Sequence, residues 1–449
     1  MFIARWSAMN NMHLCSKKYS DILRNRRTCT TSLRRYTGEM SISFKTATAV
    51  MGFAQFSSTS AHVAQQLLGQ ATSNHGPLTF RESSIFRPVT DASIYDGRWT
   101  AEAPGFHLFD NFGKESPMPG IATFSHINWT NCRLSENDET FDIGIVGMPF
   151  DLGVSYRPGQ RFGPAATRVA SQRMAPFISW SMAHDMVNPF LDWASVVDCG
   201  DIPNSVFDKY EAVQELGAGL RSMATRKPKA AEKGDHVRLI TLGGDHTITL
   251  PSLRALHSVW GDMAVIHFDA HLDTWNPRQW GGGINKYDEI THGTLLHFAH
   301  EEGLLKNDSG IHVGTRAVLF DKTEDLRHDA ECGFQCIMAT DIDTKGVAAI
   351  VDRISERVGD SMVYVTVDID VLDPAFAPAT GTTEIGGWST REILAVLRGL
   401  SASGIKIIGA DIAELSPIYD DAGGSTATAV AQIAFELLQW MIKVPVMKN

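Results

Sequence analysis

From residue 141 onward two kinds of apolar pattern alternate along the chain. Short runs rich in β-branched residues recur at 142–147, 237–242, 263–268, 362–367 and 405–409. None alternates cleanly between apolar and polar, as expected of strands covered on both faces. Longer stretches with spaced apolar residues predict helices over 211–225, 344–358, 390–400 and 426–444. Repeated strand, helix and strand units predict an α/β domain with a mainly parallel sheet. No internal repeat and no linker divides 141–449. In open sheets of this kind ligands bind beyond the carboxyl ends of the strands. The polar residues directly after each run therefore carry the functional question.

Four clusters stand there. Gly243-Gly244-Asp245-His246-Thr247 follows the second run. It reads either as a strand-to-helix turn or as a close backbone turn presenting an imidazole ligand. Asp269-Ala270-His271-Leu272-Asp273 follows the third run and offers three ligands in five residues; a solvated, helix-capping loop is the plainer alternative. Asp368-Ile369-Asp370-Val371-Leu372-Asp373-Pro374 ends the fourth. Two carboxylates closing an apolar strand are costly unless paired, hydrated or bound to cations. Asp373, before Pro374, reads as a turn or supporting acid. Asp411-Ile412-Ala413-Glu414 closes the fifth run, with Glu414 either a surface acid or an anchor for a cationic substrate. Among them the candidate ligands His246, Asp269, His271, Asp273, Asp368 and Asp370 supply two histidines and four aspartates. That donor set suits divalent manganese, with zinc, iron or cobalt also able to fit. His267, inside its strand, reads as a packed or supporting histidine.

Composition narrows the classes. The chain has 449 residues, 43% of them hydrophobic, long enough for a sizeable core. A formal net charge of -11 and the lack of a basic face argue against a nucleic-acid partner. No apolar run approaches the roughly 20 residues of a spanning helix. Gly281-Gly282-Gly283 lacks the lysine and the strand-to-helix setting of a phosphate loop. Six cysteines are weak evidence for disulfides in a chain of this size, and the Cys332/Cys336 pair reads as ordinary or buried thiols rather than a structural zinc site.

The start of the chain differs from the rest. Residues 1–75 form an appendage. Within it nine basic residues face two acidic ones, Asp21 and Glu39, amid abundant Ser and Thr. That composition suggests a mitochondrial-matrix leader, with a plain disordered tail and cytoplasmic or secreted destinations as alternatives; no compact apolar core follows a short basic start, which argues against a secretory signal at Met1. Asn128-Trp129-Thr130 and Asn307-Asp308-Ser309 match the N-glycosylation pattern, which matters only on a secretory route. Residues 76–140, rich in aromatics and prolines, are expected to wrap the domain at 141–449.

The ordered set Gly-Gly-Asp-His, Asp-Ala-His-x-Asp, Asp-x-Asp-x-x-Asp-Pro and Asp-x-x-Glu resembles the ureohydrolase family, which includes arginase, agmatinase and guanidinobutyrase. The likeness spans 141–438. Gly147-Met148-Pro149-Phe150-Asp151, Arg157-Pro158-Gly159 and Arg161-Phe162-Gly163-Pro164 look like the agmatinase branch. The resemblance implies a three-layer α/β/α sandwich around a parallel, typically eight-stranded sheet, and a homo-oligomer, trimeric or hexameric. It implies two manganese ions per subunit. His246, Asp269, Asp273 and Asp368 would hold one; Asp269, His271, Asp368 and Asp370 would hold the other, with Asp269 and Asp368 bridging.

By the same likeness a metal-bridging hydroxide attacks the guanidinium carbon of a small guanidino substrate and urea is released. Glu414 orients the guanidinium, Asp273 stabilises the tetrahedral species, and His292, in Thr291-His292-Gly293-Thr294, moves a proton to the leaving amine. The segments Thr274-Trp275-Asn276 and Asp288-Glu289-Ile290 depart from the arginase pattern, so arginine is not the expected substrate. Agmatine, giving putrescine, is favoured, with Asp288 and Glu289 facing its ammonium. Arg157, Arg278 or Lys286 would instead suit the carboxylate of 4-guanidinobutyrate, and Trp275 offers either chain an apolar wall. A deacetylase on a related sheet and an inactive homologue acting as a regulatory partner are the other classes.

Overall fold

The computed structural model describes residues 121–133, 140–280 and 289–447. The predicted leader, most of the 76–140 segment, Gly281-Gly282-Gly283, Lys286 and Asp288 lie outside the described residues. Eight strands form one sheet: β1 (Ile143–Gly147), β2 (Val196–Asp201), β3 (Arg238–Leu242), β4 (Ala264–Phe268), β5 (Gly310–Thr315), β6 (Phe334–Met338), β7 (Val363–Asp368) and β8 (Ile407–Ala413). Their order is β2-β1-β3-β8-β7-β4-β5-β6. Every neighbouring pair runs parallel. The helices are α1 (Gly163–Ala170), α2 (Lys209–Ala224), α3 (Thr249–Trp260), α4 (Leu295–Glu301), α5 (Glu324–Glu331), α6 (Asp341–Val358), α7 (Thr390–Ala402) and α8 (Ser425–Lys443).

The near-continuous apolar runs are explained by the layers. Successive side chains of a strand point to opposite faces. Val363, Val365 and Val367 enter one core with residues of α6, α7 and α8. Tyr364, between them, enters the other with residues of α2, α3 and α4. The result is a three-layer α/β/α sandwich, as the sequence pattern and the family likeness led one to expect. Helix ends follow local chemistry. Asp208 caps α2 by accepting the Glu211 N–H, and Ser389 with Glu392 forms a capping box at α7. The helix expected from 344 starts at Asp341, but Gly346 at φ 78° interrupts it, so the regular turns follow that glycine. No helix among the described residues is long and apolar enough to cross a membrane.

Ahead of β1 the chain lies along the sheet's outer edge. The Thr130 N–H donates to the Asp198 carbonyl and the Asp198 N–H to the Asn128 carbonyl, extending β2. Cys132, two residues on, is disulfide-bonded to Cys199 in β2. Cysteine count alone gave no sign of this pairing. Cys332 is buried, Cys336 half-buried, and neither is in a disulfide.

One buried ion pair locks this edge. Arg168 of α1 donates from Nε and Nη2 to Asp198 at 2.8 and 3.0 Å, and from Nη1 to Asp201 at 2.6 Å. Asp198 also accepts the Phe124 N–H at 2.8 Å. Removing one partner of a buried pair leaves an uncompensated charge, a loss of about 3–5 kcal/mol. Arg168→Ala is expected to lower the stability in urea, followed by circular dichroism, by that amount; a loss below about 1 kcal/mol would contradict the role given to the pair.

Candidate metal centre and active site

Four adjacent central strands, β3, β8, β7 and β4, deliver the polar clusters to one place. β3 and β4 follow one another in sequence, yet β8 and β7 lie between them in the sheet. Such a reversal of strand order opens a crevice at the carboxyl edge. Gly243-Gly244 lets the chain turn there: a Cβ on Gly244 would overlap the Phe150 carbonyl oxygen.

His246 Nδ1 lies 3.0 Å from Asp269 Oδ2, 3.0 Å from Asp273 Oδ2 and 3.4 Å from Asp368 Oδ2. His271 Nδ1 lies 3.1 Å from Asp269 Oδ1 and 3.0 Å from Asp370 Oδ2. The six residues singled out as ligands thus come together in a buried cluster. Two donor groups can be drawn within it: His246, His267, Asp269 and Asp273, and Asp269, His271 and Asp370. Asp269 belongs to both, as a bridging carboxylate would.

Two observations test whether cations fit. Buried polar atoms are ordinarily hydrogen-bonded, yet His246 Nδ1, His267 Nε2 and Asp269 Oδ2 have no hydrogen-bond partner. These atoms face one another across distances suited to a shared ion. Burial, with Asp370 and Asp269 beside it, also pushes the Asp368 carboxyl well above its ordinary range. Burial and Asp269 push Asp370 up to about 6. Divalent cations relieve the same repulsion. The residues fit a binuclear centre.

Beside the cluster His292 Nδ1 lies 3.2 Å from Glu414 Oε1. The Ser155 N–H donates to His292 Nε2 at 3.2 Å, so Nδ1 carries the proton and donates to Glu414. Burial lowers the proton affinity of His292, but the hydrogen bond and charge of Glu414 outweigh it and the net shift is upward. Glu414 accepts two further bonds, from the His246 N–H at 2.9 Å and Gln160 Nε2 at 2.7 Å. Asp273 and Glu414 both adopt left-handed backbone conformations, φ 56° and 65°. Non-glycine residues held there concentrate at functional sites.

The profile of the Arginase family matches residues 141–439. The chain is a member of the arginase family. A Schizosaccharomyces pombe protein with a provisional agmatinase name is 47% identical over 75% of this chain and 86% of its own length. The guanidinobutyrase of Pseudomonas aeruginosa is 35% identical over 73% of this chain and 94% of its own. The solved proclavaminate amidino hydrolase of Streptomyces clavuligerus is 32% identical with a TM-score of 0.63, covering 73% of this chain and 99% of that one. This arginase-family protein therefore stands near the agmatinase and guanidinobutyrase branch, and it is a hydrolase of the ureohydrolase type.

The other site residues divide. A cavity of about 200 Å³ is lined by Ser155, Trp275, His292, Phe320, Thr382 and Glu384 together with cluster residues. Arg157 stands outside this lining, its guanidinium 5.3 and 5.2 Å from the ring centres of Tyr156 and Tyr419. Arg278 is exposed in the short 3-10 turn Pro277–Trp280, also outside it. Asp373 holds a turn, accepting the N–H groups of Ala375 and Gly386.

Sequence reading missed the shell behind the ligands. His246 Nε2 lies 2.7 Å from Thr366 Oγ1. Thr366 donates onward to Asp411 Oδ1 at 2.5 Å, and Tyr364 and Thr249 donate to Asp411 Oδ2. Since Thr366 spends its hydrogen on Asp411, it accepts from His246 Nε2–H, which leaves the Nδ1 lone pair facing the carboxylates. A second chain does the same for His267. Asp329 accepts from His312 Nε2 at 2.8 Å, and His312 Nδ1 then accepts from His267 Nδ1–H at 2.7 Å. The Nε2 lone pair of His267 is left 3.1 Å from Asp269. The supporting role expected for His267 understates its position among the donors. The signal was available: Thr366 and His267 are polar residues inside otherwise apolar strands.

Loss of a hydrogen bond that orients a metal-binding histidine typically lowers metal affinity about 10- to 100-fold. Thr366→Val is expected to weaken binding of divalent manganese by that factor in equilibrium dialysis, with an unchanged circular dichroism spectrum. Undiminished affinity would remove Thr366 from the account.

Proposed function

We propose that the chain hydrolyses agmatine to putrescine and urea with two manganese ions per subunit. The observation that carries this reading is the pairing of Glu414 with His292 at the rim of the His/Asp cluster. His246, Asp269, Asp273 and Asp368 would hold one ion; Asp269, His271, Asp368 and Asp370 would hold the other. Bound divalent cations supply the Lewis acidity that makes a water nucleophilic near neutral pH.

The protein's own groups do the rest. Glu414 is buried, and its Oε1 takes the His292 ring N–H beside the fixed His246 backbone N–H. A substrate guanidinium, planar and rich in N–H donors, can replace that ring at Oε1 while Gln160 keeps Oε2 in place. The guanidinium carbon is then fixed beside the cluster, which removes much of the entropic barrier. The displaced imidazole is free to hand a proton to the departing alkyl amine. Asp273, in the cavity lining, would stabilise the charge that develops at the tetrahedral carbon.

The tail preference follows from the lining. Among the described residues of the cavity no Lys or Arg occurs, whereas Glu384 is partly exposed at its edge and Trp275 and Phe320 form an apolar wall. An aliphatic chain ending in an ammonium suits that surface better than one ending in a carboxylate. The likeness to a guanidinobutyrase supports 4-guanidinobutyrate as the second reading. Exposed Phe177, Ile178, Trp180 and Met182 support a homo-oligomer.

Urea release by manganese-loaded protein, with agmatine, 4-guanidinobutyrate and arginine compared side by side, tests the proposal. The highest kcat/KM is expected with agmatine. His292→Asn is expected to lower kcat about 10²- to 10⁴-fold, the usual contribution of a positioned proton donor. Preference for 4-guanidinobutyrate would overturn the tail assignment alone. No metal-dependent urea from any of them would overturn the activity.

A further inference from the structure

Three features unrelated to the reaction fall on the strap at the sheet edge and on one turn: a disulfide and two glycosylation sequons. The disulfide joins Cys132 of the strap to Cys199 of β2, both buried. Four residues before Cys132, Asn128 of the Asn128-Trp129-Thr130 sequon is exposed, and its carbonyl takes the Asp198 N–H. Asn307 of Asn307-Asp308-Ser309 is exposed in the turn before β5, where Asp308 adopts a left-handed φ of 51°. We propose that this chain is folded in an oxidising secretory compartment, where Cys132 and Cys199 are joined and Asn128 and Asn307 receive N-linked oligosaccharides.

Disulfides persist in oxidising compartments and are rare where glutathione and thioredoxin keep thiols reduced. This bridge has no catalytic setting: it is buried, far in sequence from the His/Asp cluster, and fastens the strap to an edge strand. An oligosaccharide is bulky and must project into solvent from a folded domain. Both asparagines meet that condition, although nothing in the sequon pattern requires it.

The strands run parallel, and the candidate active site lies at their carboxyl ends. Asn307 precedes the amino end of β5 at Gly310, on the opposite rim of the sheet. Asn128 lies beside β2, an outermost strand separated by β1 from the nearest strand that supplies the site. Sugars at both positions leave the catalytic mouth open. At Asn128 they also shield a sheet edge, a position that proteins commonly cover. Of the destinations drawn from composition, the mitochondrial matrix, the cytoplasm and secretion, these features favour the last.

The covalent steps use the chemistry of that compartment. A thiolate from Cys132 attacks the disulfide of an oxidoreductase, and Cys199 displaces the carrier from the mixed disulfide. Two thiols lose two electrons and two protons, and the carrier leaves as a dithiol. At each sequon the asparagine amide nitrogen bonds to the anomeric carbon of a lipid-diphosphate-linked oligosaccharide. The carbon–oxygen bond to the diphosphate breaks, the lipid diphosphate leaves, and the amide gives up one proton.

The test expresses the full chain in a yeast host and treats it with an endoglycosidase that removes N-linked sugars. Two steps of gel mobility are expected to be lost, one absent from Asn128→Gln, one from Asn307→Gln, and both from the double variant. Ser309→Ala, which keeps Asn307, is expected to behave as Asn307→Gln. In parallel, the protein is denatured in the presence of excess alkylating agent and digested without reduction; a peptide pair linked through Cys132 and Cys199 is expected, with the alkyl label confined to other cysteines. An unshifted wild-type band, or Cys132 and Cys199 recovered in alkylated form, would overturn the proposal. Both readouts are independent of urea release, so failure of the proposed activity does not touch them.

Discussion

Carboxylates do not gather in an apolar interior without positive charge to hold them there. Asp269, Asp273, Asp368 and Asp370 are all buried, and they meet at two imidazoles. Desolvation of even one unpaired carboxylate costs several kcal/mol. Two of the four are pushed upward toward protonation, Asp368 by burial and by Asp370 and Asp269, and Asp370 by burial and by Asp269. For Asp269 burial acts in the same direction, but the imidazoles of His267, His246 and His271 outweigh it and hold its carboxyl well below the usual range. The cluster is an electrostatic conflict unless cations share it, and the surrounding fold is organised around holding that conflict in place.

The sheet supplies the means. Parallel strands end side by side, so four of them can each contribute one cluster without any long loop. The layers of α-helices keep the strands dry on both faces and confine polar groups to the carboxyl edge and to a few chains behind it. Asp411, bonded by Thr366, Tyr364 and Thr249, and Asp329, bonded by His312, sit at the ends of those chains. Each sets which ring nitrogen of a histidine faces the cluster. Left-handed backbone at Asp273 and Glu414 is tolerated because the neighbouring bonds leave no alternative: the Glu414 N–H is held by the Gly244 carbonyl, and the Asp273 carbonyl takes the Leu296 N–H.

Much of this was legible in the chain because the central strands are nearly uniform in character. The five runs rich in Val and Ile became β1, β3, β4, β7 and β8, and the residues following four of them form the cluster. The strands that escaped notice are mixed. β2 carries Asp198 and Asp201 because it binds Arg168, β5 has His312 at its centre between glycines, and β6 is an edge strand with Gln335 exposed. Short helices such as α4 and α5 span two turns at most and offer little periodicity. Gln160 and Ser155 could not be assigned to the site from sequence, since both come from an irregular loop brought to Glu414 and His292 by tertiary packing. Arg157 and Arg278 were attractive as charges, but neither lines the cavity: the Arg157 guanidinium packs over Tyr156 and Tyr419, and Arg278 is exposed.

The central claim is that this cluster holds two cations through a shared carboxylate. Electron paramagnetic resonance of protein loaded with manganese tests it most directly. A spectrum of exchange-coupled ions is expected at two manganese per chain, collapsing to isolated-ion signals in Asp269→Asn. Isolated-ion signals alone from the wild-type protein at full occupancy would contradict it.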